Sequence, residues 1–196
     1  MTVGSTAEAL TLLEAGNARF VAGTPHIGRL DAALLELAGG QSPYAIVLGC
    51  SDSRVPIEMI FDQQPGKLFV VRVAGNYLTD DIFGSIEFAV ASFKSKLVVV
   101  LGHTKCGAVT AAVAHAKDGT TQPGHIAHLV DAIAPAAEAT RDLPGDWLAN
   151  ATAENVRHTV QAMTAGSKII ADAVSRGEAE VAGGIYDLHT GRVSFL

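Results

Sequence analysis

Three aliphatic runs constrain the fold of this chain more than any other feature: "YAIVLG" from Tyr44 to Gly49, "KLFVVRV" from Lys67 to Val73 and "KLVVVLG" from Lys96 to Gly102. None alternates apolar with polar residues, so none reads as a strand with one wet face. A strand that is apolar throughout has to be covered on both sides. Each run is followed by a segment with helical apolar spacing, which points to a parallel sheet with helices on both faces.

The remaining elements follow from spacing and breakers. Ala9, Leu10, Leu13, Phe20 and Val21 predict a helix from about Thr6 to Val21, ended by "GTPHIG". A short helix is expected near Leu30–Ala38, stopped by Gly39 and Gly40, and another around Ile57–Phe61. Helices are also expected over Asp81–Phe93 and Cys106–Ala116. After the loop "KDGTTQPG", helical stretches run from about His125 to Thr140 and from Asp146 to Ser175. "EVAGGIYDL" and "GRVSFL" read as a closing hairpin turned near "HTG". The expected fold is α/β: a central, mostly parallel sheet of four strands plus an antiparallel edge strand, with helices on both faces.

At 196 residues the chain suits one domain, residues 1–196, with 1–40 as an N-terminal helical arm. Hydrophobic residues make up 48% before the 20 glycines are counted, and charged residues only 17%, against a usual share of about 25%. So apolar a chain is expected to bury part of its surface in a homo-oligomer. The net charge of −6 and the lack of a Lys/Arg block argue against a nucleic-acid partner. No apolar run reaches the roughly 18 residues needed to span a bilayer. The N-terminal stretch carries Glu8 and Glu14 and no basic region, so no signal peptide is expected and the location is taken as cytoplasmic. In that reducing setting the two cysteines are expected as free or metal-bound thiols rather than a disulfide.

Chemistry concentrates where two of the strands end. "CSDSR" puts Cys50, Asp52 and Arg54 two apart, and "GHTKC" puts His103 and Cys106 three apart where strand turns to helix. Sites in open α/β sheets form outside the carboxyl ends of the strands. If the two strands are neighbours, two sulfurs, an imidazole and a carboxylate converge, a set suited to tetrahedral zinc with either oxygen or water as the fourth ligand. Cys106 at a helix start gains from the helix dipole, which favours its thiolate. Gly107 beside it lets backbone N–H groups approach a small ligand. The bland alternative is two buried cysteines acting as small hydrophobes; a redox pair is disfavoured, since there is no C-x-x-C.

The paired motifs "CSDSRVP" and "GHTKCGA", with "GNARFVAG", "VRVAGN" and "VAGGIYDLHTGRVSFL", resemble the beta-class carbonic anhydrases over nearly the whole chain. The resemblance implies a zinc enzyme that interconverts carbon dioxide and bicarbonate. It also implies a homodimer or higher homo-oligomer, with the active site near the subunit boundary and the N-terminal helices packed on the partner. Cys50, His103 and Cys106 would hold Zn²⁺, leaving a corner for water whose pKa falls towards ~7, so that hydroxide forms there. Two thiolates partly cancel the metal's charge, so activity is expected to rise into mildly alkaline pH. Asp52, paired with the fork of Arg54, would accept a hydrogen bond from that hydroxide and aim it at carbon dioxide. In a closed resting state the same aspartate would itself be a metal ligand.

By the same resemblance Gln41 would donate to bound substrate, and Phe69, Ala74 and Phe88 would line a small apolar pocket. Phe88 stands where relatives often have tyrosine, so a hydroxyl is missing there. Arg72 matches the arginine of an inhibitory bicarbonate site in some relatives. Val47 and Phe88 replace its other two members, so no such site is expected. His125 and His128 could form a second metal site or a proton relay, though plain surface or core histidines are the simpler reading. His115, His158 and His189 carry no signal, and "RVAGN" lacks the pattern of a nucleotide loop. Two other readings stay open: hydrolysis of carbon disulfide or carbonyl sulfide on the same metal, and a scaffold whose zinc is purely structural, closed by four protein ligands.

Overall fold

A computed structural model describes residues 3–27 and 37–196. All five expected strands are present: β1 (Ala45–Gly49), β2 (Leu68–Arg72), β3 (Leu97–His103), β4 (Glu180–Tyr186) and β5 (Val193–Phe195). They form one sheet in the order β2-β1-β3-β4-β5. The first four run parallel, and β5 pairs antiparallel with β4. The helices are α1 (Thr6–Ala22), α2 (Ile57–Ile60), α3 (Asp80–Phe93), α4 (Gly107–Asp118), α5 (Ile126–Ala139), α6 (Trp147–Gly166) and α7 (Lys168–Ser175). Most of the short helix expected near Leu30–Ala38 lies outside the described residues.

Burial explains the unbroken aliphatic runs. Every residue of the central strands β1 and β3 is buried. Ala45, Val47, Leu97, Val99 and Leu101 face α1 and α2. The alternate residues Ile46, Leu48, Val98 and Val100 face α3, α6 and α7. A third cluster joins Val109, Ala112 and Ala116 of α4 to Ile133 and Ala137 of α5 and to Ala151 of α6, next to Cys50 and Cys106. β2, at an edge, leaves Phe69 and Val70 only half covered and Arg72 exposed.

Side-chain caps set the helix ends. Ser5 accepts from the Glu8 N–H, Thr79 from Ile82 and Asp146 from Ala149, satisfying first-turn donors. The stretch expected as one helix over Asp146–Ser175 is two. Ser167 breaks it, capping the N–H of Ile170 and donating to Glu87 Oε1 at 2.5 Å. The sequence hides that break because the apolar spacing continues across it. The described part of the N-terminal arm rests on its own subunit: Ala9 and Leu13 enter the core, and Asn17 bonds to Ile60 and Gly191.

The topology makes one crevice. From β1 the chain moves outward to β2, then returns past β1 to β3 and continues to β4, so the strand order reverses between β1 and β3. In such sheets that reversal opens a ligand crevice at the carboxyl ends of the strands. Gly49 pairs with Leu101, so the residues that follow each strand emerge side by side.

Candidate metal centre and active site

Cys50 leaves the end of β1, His103 ends β3, and Cys106 sits at the start of α4 after a turn in which Lys105 has φ +56°. Ligand atoms of the three lie within 4.8 Å of one another, and all three residues are buried. The two sulfurs are 3.9 Å apart. Zinc–sulfur bonds of about 2.3 Å in a tetrahedron separate two sulfurs by about 3.8 Å, so the pair needs no movement to share an ion. Cys106 stands at the N-cap of α4 without a side-chain capping bond, so its sulfur faces Cys50 rather than closing the helix end.

The histidine is set up as a ligand. His103 Nδ1 lies 3.0 Å from Thr104 O; a carbonyl only accepts, so Nδ1 carries the proton. Nε2 is then a lone pair, buried and without a hydrogen-bond partner. A buried acceptor left unpaired is costly, and one held in this tautomer by a backbone carbonyl is the usual form of a metal-binding imidazole. Thr104 is itself tied to the closing hairpin, its N–H donating to Tyr186 O at 2.9 Å and its hydroxyl accepting from Leu188 at 3.0 Å.

The sulfurs share a proton. The hydrogen bond from Cys106 holds Cys50 well below the usual thiol range against its burial, helped by the Gly75 N–H at 3.3 Å. Cys106 is pushed up by its donation to Cys50 and by burial, against the N–H groups of Val109 and Ala108. A divalent cation replacing that proton satisfies both sulfurs as thiolates. The donor set therefore fits a metal.

Beside the cluster stands Asp52. Arg54 donates to both of its oxygens, Nε to Oδ1 at 2.9 Å and a terminal nitrogen to Oδ2 at 2.6 Å, and the Arg54 N–H adds a third bond at 2.9 Å. These bonds hold the Asp52 carboxyl far below the ordinary carboxylate range. Its Oδ2 is 4.0 Å from His103 Nε2. Arg72 grips the same loop from β2, donating to Cys50 O at 2.9 Å and Asp52 O at 2.7 Å.

Other expected residues divide into two groups. Ala74 is half-buried in the loop next to Gly75, and exposed Gly107 opens α4 next to Cys106, so both adjoin the cluster. Gln41 instead sits by Gly66, where β1 and β2 begin, at the far end of the strand from Cys50. Phe69 pairs in register with Ile46, below the site, and packs with Phe93 and Phe88, the last 55% exposed. The structure thus does not bring Gln41, Phe69 or Phe88 to the metal cluster of their own chain. Val47 is buried in the sheet. His125 and His128 stack on each other at 5.7 Å, and His158 pairs with Glu154.

Gly75 and Asn155 were not singled out from the sequence. Gly75 (φ +83°) and Asn76 (φ +45°) make a left-handed turn against Cys50, and Asn155 Nδ2 donates to Gly75 O at 2.9 Å. The Gly-Asn pair in "VRVAGN" is a turn signal; nothing local marks Asn155.

Known proteins point the same way. A family model described as carbonic anhydrase matches residues 45–193. Carbonic anhydrase 2 of Mycobacterium tuberculosis is 41% identical over 184 residues, 92% of this chain and 87% of that protein. A carbonic anhydrase of Mycolicibacterium smegmatis is 38% identical over 182 residues, 92% of this chain and 88% of that one. Among solved structures, the beta-carbonic anhydrase CafA of Aspergillus fumigatus superposes with a TM-score of 0.76 at 29% identity, covering 97% of this chain and 89% of that one. One of two tetrameric beta-carbonic anhydrases from Sordaria macrospora gives 0.73 at 27% identity, covering 97% and 95%. With its site, its fold and most of its length matched in this way, the chain belongs to the beta-class carbonic anhydrases, a family of enzymes.

Proposed function

We propose that this enzyme reversibly hydrates carbon dioxide to bicarbonate and a proton, with zinc as its metal. The observation that carries the reading is the buried, unpartnered Nε2 of His103 beside two sulfurs spaced for one tetrahedral ion. Three protein ligands leave one corner open, the pattern of a catalytic rather than a closed structural zinc. When bound, zinc supplies the Lewis acidity that makes water a nucleophile near neutral pH.

The chain's own residues aim the reaction. Asp52, kept ionised by Arg54, accepts a hydrogen bond from the attacking water at Oδ2 and so turns its lone pair towards the carbon. Arg72 fixes the loop on which Asp52 rides. Swinging Asp52 onto the metal would close the site at the expense of its paired bonds to Arg54. Ala74 and the backbone at Gly107 border the space left for a small nonpolar gas.

Gln41, Phe69 and Phe88 reach a substrate pocket only in a second copy of the chain. Exposed Phe88, clustered with Phe69 and Phe93 at the β2 edge, supports a homodimer or higher homo-oligomer, with the N-terminal arm helping to bind the partner. No described helix is long and apolar enough to cross a membrane. The two free thiols suit a reducing cytoplasm. Stopped-flow hydration of carbon dioxide tests the whole reading: activity should vanish on chelation and return with zinc. A zinc-loaded protein without hydration activity would overturn it.

A further inference from the structure

The geometry points to Asn155 as a positioning residue for the metal ligand Cys50, acting through Gly75; this rests on the reading of Cys50, His103 and Cys106 as zinc ligands. Asn155 lies in the middle of α6 and is buried, although asparagine is a weak helix former there and costs desolvation unless bonded. Its Nδ2 donates to Gly75 O at 2.9 Å across 80 residues of sequence. The Gly75 N–H in turn meets Cys50 Sγ at 3.3 Å.

The turn needs that support. Gly75 is at φ +83°, and a Cβ there would lie 2.4 Å from Ile133 Cδ1 and 3.0 Å from Ala108 Cβ. Only glycine fits, and glycine is the residue least able to aim its own N–H. Two bonds fix the next peptide unit, Gly75–Asn76, and so hold the turn that presents the Gly75 N–H: Asn76 N–H to Val73 O at 3.0 Å closes the turn, and Asn155 anchors the carbonyl.

Asn155 also belongs to a helix that locates the other strand end. Val156 Cγ2, one residue on, lies 2.6 Å from where a Cβ on Gly102 would be, beside His103. One turn of α6 therefore sets both the N–H that reaches Cys50 and the strand that delivers His103. Bonds of this kind orient ligands and tune the metal they hold.

The test compares zinc-loaded wild type with Asn155→Leu, close in shape but without a donor. Zinc release to a chromophoric chelator should be about 10-fold faster or more. The sulfur-to-cobalt charge-transfer bands of the cobalt-substituted protein should shift, and the zinc-loaded melting temperature should fall by more than the metal-free one. Equal falls in both, with unchanged zinc release and band positions, would make Asn155 a structural hydrogen bond only and overturn the inference. Asn155→Ser, which leaves room for water at Gly75 O, is read by the same criteria should the leucine variant not fold. A wild type that takes up neither zinc nor cobalt would sink the metal reading itself, a result visible before any variant is compared.

Discussion

Arg54 holds Asp52 by both carboxylate oxygens and caps it again with its own N–H, so that acceptor and clamp are only two residues apart in one turn. So short a loop leaves the carboxylate little freedom to rotate while the fork is engaged. Replacing Arg54 by Ala should cut kcat/KM by about 10- to 100-fold with zinc still bound one per chain. Without the guanidinium, the Asp52 carboxyl rises from its depressed value towards the ordinary carboxylate range. A protonated Asp52 donates where it should accept, so below about pH 5 the variant should fall more steeply than the wild type, on top of the decline towards acid that both share as hydroxide is lost. A pH–rate profile measured beside metal content checks both; near-normal rates would refute the clamp.

Metal removal should be felt in stability as well as in rate. Chelation leaves His103 Nε2 buried without a partner and returns one proton to two crowded sulfurs. A ligand present at 1,000 times its dissociation constant stabilises a fold by about 4 kcal/mol. For a chain of this size that corresponds to roughly 10 °C in melting temperature. Calorimetry with and without chelator should show such a drop, reversed by zinc. His103→Gln should melt near the chelated value and fail to respond to added zinc; full zinc rescue of that variant would count against the ligand set.

How much of this was readable in advance depends on how local the signal is. Cys50, His103 and Cys106 were legible because reactive residue types end aliphatic runs, and the parallel order of β1 and β3 then joins them. Strands buried on both faces announce themselves through unbroken Val and Leu. Edge strand β2 did so only in part, ending in exposed Arg72 whose grip on Cys50 O and Asp52 O no pattern foretells. Nothing in the sequence around Asn155 marks it, yet it is buried, because its partner comes from a turn far away in sequence. Gln41, Phe69 and Phe88, assigned by resemblance alone, lie apart from their own chain's cluster: a single chain's sequence does not say which copy a residue serves.

Asp62 ties down the segment that follows α1. Its side chain is fully buried at φ +47° and accepts from Arg19 Nε at 2.5 Å, from His26 N–H at 2.8 and 2.9 Å and from Ile27 N–H at 2.8 Å. Burial pushes its carboxyl up, but the His26, Arg19 and Ile27 donors together outweigh it, so the folded pKa lies below the usual value. A depressed carboxyl stabilises the fold above the unfolded pKa of about 3.9, and that share is lost as pH falls through the lower folded value. Asp62→Asn should therefore cost about 2 kcal/mol at pH 7. The gap to wild type should narrow as pH drops below about 4. Urea unfolding at pH 7, 5 and 3 reads this directly; a gap independent of pH would mean the charge contributes nothing.

Gly16 provides a case where local propensity and packing predict opposite signs. It lies inside α1, where alanine is favoured over glycine by about 1 kcal/mol, so Gly16→Ala should stabilise the protein if helix preference decided. A Cβ at that position, however, would stand 1.8 Å from Phe61 O and 2.7 Å from Phe61 C. Both are backbone atoms that no rotamer change can move. The next residue, Asn17, donates to Ile60 O at 3.2 Å and Gly191 O at 2.9 Å and accepts from Val193 N–H at 2.8 Å, so pushing the helix outward breaks those bonds as well. The variant should lose about 3 kcal/mol of stability in spite of its better helix former. Because the clash at Gly16 falls on Phe61 rather than on a metal ligand, zinc content should be unchanged at low temperature. Chemical unfolding settles the sign: a stabilised Gly16→Ala would mean that α1 does not dock backbone to backbone on Phe61.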